Sequence, residues 1–440
     1  MSRKDTALRY FEENKEYMNL RVKSGIELYR KGTAEIIFAS SDGNIPKDIK
    51  VEVRQKKHEF KFGCNMFMLD EFETDEKNAI YKEKFPECFN LGTVPFYWSD
   101  LEPEQGKPRY AVDSPKIYRR PAPDLCVNYC KKKGIEPKCH CLNYDFFTPG
   151  WAIDKPVSEY KKLLEKRFRE IAERYAADIP GFEVTNETLL DRKGSKFFLE
   201  DDFVEWSFRM ADRYFPNNKL IINDDHTAWW PGTFNNRHAY YMQIERLLRE
   251  GISHLDTIGI QYHSFFPLSK EPEMAEQRYN PESIYKLLDL YARFGRSLQI
   301  TEMTVSTWGD DEENEYVQSE LVKNLYSIFF SHPAMEAVIY WNMVDGYAAG
   351  APIGDMTAGE NTHYGGLLRF DMSEKPVYQT LKRLINQEWH TEELITANGN
   401  SAKFRGFFGD YDLTVHAGGK TIPVNFTLSG EANNQITVKL

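Results

Sequence analysis

"PVSEYKKLLEKRFREIAERYAADIPGFEVTNE", residues 156–187, holds a helix and the strand that follows it. Tyr160, Leu164, Phe168, Ile171 and Tyr175 recur at three- and four-residue steps, the period of an amphipathic helix, and Pro156 suits its start. "GFEVTN" (181–186) reads as a strand, with Phe182 and Val184 alternating with Glu183 and Thr185. Asn186 and Glu187 stand where that strand should stop. Helix then strand is half of a βαβ unit, so the fold depends on how often the unit repeats.

It repeats along most of the chain. Strand segments read at 60–66, 88–94, 135–143, 181–186, 219–224, 255–261, 297–303 and 336–342. Helical patterns read at 124–134, 156–178, 201–215, 236–251, 281–295, 314–331 and 375–387, with Gly134, Gly251 and Gly295 closing three of them. Eight strands alternating with helices predict an α/β fold, a (β/α)8 TIM barrel over residues 59–395. An open doubly wound sheet is the weaker reading, because no Gly-rich phosphate loop follows the first strand. Residues 1–24 form an N-terminal helical segment. Residues 25–58 and 400–440 each contain β-like runs separated by turns, and together predict a small β-sandwich that binds carbohydrate or covers the barrel, the structural role being favoured.

The 440 residues carry a net charge of −11, which speaks against a nucleic-acid partner, and the lysines at 131–133 read as an exposed helix end. No apolar run reaches membrane-spanning length. The N-terminal residues lack an apolar signal core. The expected location is extracellular or periplasmic if a leader was removed, and cytoplasmic otherwise. Aromatic residues make up 14% of the chain, which suits sugar stacking but equally the filling of a large core. A zinc site from Cys126, Cys130, Cys139 and Cys141 is conceivable. Buried free thiols are the expected state, with no metal and no cofactor. A monomer is expected.

In a barrel enzyme the active site lies at the C-terminal ends of the strands. Those ends carry His140 with the following loop, Asn186-Glu187, Gln261 and His263, Glu302, and Trp341. Two carboxylates on one rim can divide the work of breaking a glycosidic bond. One protonates the leaving oxygen, and the other attacks the anomeric carbon or activates water. A lone rim glutamate would read as a solvated side chain. Two, with a histidine and a tryptophan beside them, favour chemistry.

"EVTNE", "IGIQYH", "LQITEM" and "VIYWNMVDGY", in that order, resemble family 10 of the glycoside hydrolases, the endo-1,4-β-xylanases; "FYWSDLEPEQGK" (96–107) and "KCHCLNYD" (138–145) add to the likeness. It covers about residues 58–390. It implies a retaining enzyme acting on a β-linked polysaccharide or oligosaccharide. Glu187 would be the general acid/base and Glu302 the nucleophile. Glu187 would keep its proton while Glu302 is ionised, because two close carboxylates resist double ionisation. Asn186 would bond the sugar 2-OH, His140 another hydroxyl. His263 would orient Glu302 and keep it charged, with Gln261 alongside, and Trp341 would lie beneath the sugar.

The pattern also departs from the family. A Glu-Asn pair and a Lys usually precede the tryptophan matched by Trp98; here Thr93, Val94 and Tyr97 stand there. Tyr144-Asp145 replace a Trp-His, and Ala349 a second tryptophan. These changes fall on the glycone side of the cleft, where Tyr97, Trp98 and Tyr144 become the substrate-binding candidates. A glucan-, mannan- or glycoconjugate-active enzyme is therefore an alternative. Two other classes are a non-catalytic sugar-binding barrel and a metal-dependent barrel hydrolase using His140, His226, His263 and Asn223-Asp224-Asp225.

Overall fold

The computed structural model describes residues 2–41, 43–190, 194–224, 229, 235–430 and 433–440. Helices Arg3–Ala7 (α1), Arg9–Glu13 (α2) and Lys15–Tyr29 (α3) open the chain, followed by strands Lys31–Ala39 (β1) and Lys50–His58 (β2). The barrel strands are Lys61–Asn65 (β3), Leu91–Pro95 (β4), Glu136–His140 (β5), Gly181–Asn186 (β6), Lys219–Asp224 (β7), Thr257–His263 (β8), Ser297–Thr304 (β9) and Met335–Tyr340 (β10). All pair in parallel, and β10 pairs with both β9 and β3, which closes the barrel. The intervening helices are Asp75–Cys88 (α4), Trp98–Leu101 (α5), Pro123–Lys133 (α6), Val157–Tyr175 (α7), Phe203–Tyr214 (α8), Ala239–Arg249 (α9), Glu271–Arg278 (α10), Pro281–Ala292 (α11), Glu312–Ser331 (α12) and Pro376–Arg383 (α13).

α4 is absent from the sequence reading, which began a strand at Cys88. Its sequence, DEKNAIYKEKFPEC, has a weak apolar stripe and a proline at 86, both poor helix signals. It starts all the same, because the Thr74 side chain accepts from the Lys77 amide at 3.2 Å and caps it. Gly134, Gly251 and Gly295 have positive φ of 69°, 83° and 65°, and stand just past their helices as expected.

The barrel interior is polar where the site will form. On β6, Phe182 packs outward, its ring 4.3 Å from that of Phe215. Glu183 points inward to Lys138 and His140 on β5. Strict alternation from Glu183 would turn Asn186 outward. A register irregularity between Glu183 and Thr185 inserts one residue and brings Asn186 back inside. A second irregularity, where β8 passes from Ile260 to Gln261, does the same on β9. Gln299 and Glu302, three apart, both face the interior. The two bulges thus aim Asn186 and Glu302 into the mouth of the barrel.

Lys138 and Glu183 form an ion pair with side chains 2% and 1% exposed. Removing one partner strands a buried charge. Lys138→Met is expected to cost about 3–5 kcal/mol in denaturant unfolding, more than the paired Lys138→Met/Glu183→Leu change.

The remaining strands are Glu392–Thr396 (β11), Ser401–Phe407 (β12), Gly409–Ala417 (β13), Lys420–Leu428 (β14) and Gln435–Lys439 (β15). They join β1 and β2 in two sheets, ordered β12-β1-β15 and β11-β2-β13-β14. Ile36 and Phe38 of one sheet pack with Val51, Val53, Leu413 and Val415 of the other in a separate small core. The segments differ from the expected limits at both ends. Residues 25–29 extend α3. β11 pairs with β2 although it was assigned to the barrel, because its isolated "EELIT" carries no turn signal ahead of it.

Candidate active site

Glu187 and Glu302 come together at the C-terminal mouth of the barrel. The Gln261 Nε2 lies 3.2 Å from Glu187 Oε1 and 3.0 Å from Glu302 Oε1. One nitrogen touching both holds those two oxygens within about 6 Å of each other, which suits the close carboxylate pair of a retaining enzyme.

Glu302 is 4% exposed and ringed by donors. The Asn223 amide donates to Oε1 at 2.9 Å, Gln261 to the same oxygen, and His263 Nε2 lies 3.2 Å from Oε2. Burial pushes the Glu302 carboxyl up to about 8; His140 opposes this, the charges of Glu187 and Glu183 add to it, and the Asn223 hydrogen bond opposes it. Three donors make Glu302 the better seat for the negative charge. A carboxyl raised in the fold favours the folded state below its unfolded value, and that contribution is lost as pH rises from about 4.5 to about 8. Glu302→Gln is therefore expected to unfold near the parent's midpoint at pH 5 and to be a few kcal/mol more stable than the parent at pH 9.

His263 lies against Glu302, the residue it was expected to orient. Burial lowers it to about 4, so it is neutral at ordinary pH. Its Nδ1 lies 3.0 Å from the Thr304 hydroxyl. His140 differs from the expectation. Nδ1 is held by Glu183 and Nε2 lies 2.9 Å from the Tyr97 hydroxyl, so both ring nitrogens are already engaged. Tyr97 stands where the sugar hydroxyl was expected.

Glu187 follows the last residue of β6 with φ 49°, a left-handed conformation that costs a non-glycine residue about 1–2 kcal/mol. Its amide donates to the Asn223 carbonyl at 3.2 Å, and the Tyr144 hydroxyl donates to Oε2. Asn186 Oδ1 accepts from Asn223 at 2.7 Å, which leaves its own amide hydrogens without an acceptor among the described residues. Trp341 packs with Phe67 and Tyr97 beside Tyr144 and Phe147, its ring 5.3 Å from His140. Trp98 does not join this wall. It donates to Glu102 at 3.0 Å and packs on Trp151 and Tyr160 in the main core, because α5 turns it away from the mouth. Asp145 is spent on the Ser195 amide and hydroxyl.

Asn223 is the residue the sequence reading undervalued; it appeared only as a metal-ligand alternative. Asp225 and His226 of that alternative lie outside the described residues. Among the described residues no group of His, Cys, Asp and Glu could hold a metal ion. All six cysteines are buried free thiols, Cys130 pushed up to about 12 by burial. No helix of the described residues is long and apolar enough to cross a membrane. Two cavities, of about 670 and 570 Å³, lie between sandwich and barrel, away from the carboxylates.

The family model described as "Glycosyl hydrolase family 10" matches residues 57–383. Endo-1,4-beta-xylanase B of Neocallimastix patriciarum is 24% identical over 278 residues, 61% of this chain and 29% of that protein. Endo-1,4-beta-xylanase 1 of Arabidopsis thaliana is 23% identical over 404 residues, 90% of this chain and 37% of that protein. The chain thus spans about a third of the length of these curated relatives. The crystal structure of native xylanase 10B from Thermotoga maritima superposes with a TM-score of 0.60 at 20% identity, covering 75% of this chain and 96% of that one. That likeness speaks to the fold.

Proposed function

This chain belongs to glycosyl hydrolase family 10, and we propose that it cleaves β-1,4-xylosidic linkages in xylan or xylo-oligosaccharides by double displacement. The observation that carries the reading is the single Gln261 amide touching both carboxylates. The implied spacing suits direct attack on the sugar by one carboxylate.

Glu302 is the nucleophile. Asn223, Gln261 and His263 hold its charge until it bonds the anomeric carbon. Glu187 gives its proton to the leaving oxygen. Once Glu302 is esterified its charge is gone, and Glu187 takes a proton from the water that releases the sugar. The free Asn186 amide is placed to bond the sugar hydroxyl next to the anomeric carbon, and Trp341 to support the ring. It works on polymer outside the cytoplasm if a leader carries it there, and on imported oligosaccharides otherwise.

A second reading keeps this chemistry and changes the sugar. It is favoured by Tyr97, which closes off His140, and by Ala349 in place of a tryptophan. Product analysis on xylan, arabinoxylan and xylo-oligosaccharides, beside glucan and mannan, separates the two. Release of xylose oligomers supports the first. Cleavage confined to another glycan supports the second.

A further inference from the structure

We propose that Arg119 and Arg120 form a receptor for a carboxylate on the substrate, so that the glycone side of the cleft recognises a uronic-acid substituent. This rests on the glycosidase reading and names the substrate class within it.

The two arginines end the long segment between α5 and α6. Arg109 pins that segment by donating to the carbonyls of Asp100 at 2.8 Å, Pro115 at 2.7 Å and Arg120 at 3.3 Å. Arg119 is then 5% exposed, against the aromatic wall of the site. Its guanidinium carbon lies 5.7 Å from the Phe67 ring centroid, and that ring lies 5.1 Å from Trp341. It donates to the Asn342 side chain at 3.1 Å and to the Tyr347 carbonyl, both neutral. Its Nε is buried without an acceptor among the described residues. Arg120 lies 4.1 Å over Tyr97 and 5.2 Å from Phe147, its side chain 14% exposed.

The charge is not fully answered from within. Arg120 pairs with Asp100 at 2.9 Å. Arg119 has no carboxylate paired with it among the described residues, and Glu360 acts on it only through space. A buried guanidinium without a partner is costly. A carboxylate entering the cleft would supply the missing charge and match the planar fork of donors.

The position agrees with the departures from the family pattern. Arg120 covers Tyr97, and Arg119 bonds Tyr347, two residues before Ala349. The cations therefore occupy the ground between the two altered stretches. In a chain of net charge −11, two adjacent arginines at the mouth select for an anion rather than add to a general basic surface.

The test is titration calorimetry on Glu302→Gln protein, which binds without turnover. The probes are a neutral xylo-oligosaccharide and one of equal length with a glucuronosyl branch on its glycone side. The acidic probe is expected to bind at least about tenfold tighter, the scale of a charge-assisted hydrogen bond. The advantage should shrink in 0.5 M salt on the order of screening by a Debye length of a few ångströms. It should also be lost in Arg120→Met and weakened in Arg119→Lys, which keeps the charge but not the fork. Equal affinity for both probes, binding of neither, or a preference that survives both substitutions overturns the proposal. Should Arg119→Lys not fold, the part-exposed Arg120→Met carries the test. Hydrolysis of the neutral probe by the parent is scored separately, so failure of the glycosidase reading is not confused with failure of this one.

Discussion

Glu302→Ala is expected to lower kcat on xylo-oligosaccharides by roughly 10⁴-fold or more, the scale of losing a covalent nucleophile. No neighbouring group can replace it. Asn223 and Gln261 are amides, and the neutral His263 is already bonded to Thr304. The cavity left by the side chain should admit a small anion. Azide is therefore expected to restore part of the turnover of an activated aryl glycoside, giving a glycosyl azide of opposite anomeric configuration. Near-parental activity without added anion would mean that another residue attacks the sugar.

Glu187→Ala is expected to separate substrates by their leaving groups. A positioned general acid contributes about 10²–10⁴-fold. That loss should appear in full on a xylo-oligosaccharide, whose leaving alcohol needs a proton. On an aryl glycoside with a good leaving group, bond cleavage needs little acid help. The glycosyl-enzyme should then accumulate, because water lacks its base, and a burst of phenol should precede a slow steady state. An equal loss on both substrates would assign Glu187 to binding or to folding. The strained φ at Glu187 makes an unfolding measurement on the variant a necessary companion.

The repeat of helix and strand was legible in the chain where a helix keeps its 3.6-residue stripe, as α7 does, and was lost where the stripe is weak, as in α4. The bulges were not legible. Residues 181–186 look like a regular alternation, and nothing in "GFEVTN" says that one residue falls out of register. The inward turn of Asn186 depends on what β7 offers as a partner. The same holds for Asn223, whose value lies in lying between Asn186 and Glu302, a relation across strands. His140 was legible as a site residue, while its capture by Tyr97 was not, since 43 residues separate them. Trp98 shows the opposite error. An aromatic residue in a site-like stretch was counted as cleft, and the single turn of α5 sends it to the core. The arginines at 119 and 120 sit in a segment with no periodic signal at all.

The central claim is that the two glutamates act by double displacement, Glu302 attacking the face of the sugar opposite the leaving group and Glu187 serving the leaving group's face. Proton NMR of the first product released from a β-xylo-oligosaccharide tests it most directly, read before mutarotation mixes the anomers. With Glu302 as nucleophile the new reducing end is expected to emerge as the β-anomer. First appearance of the α-anomer would mean a single displacement by water, and would contradict the assignment of Glu302 as nucleophile.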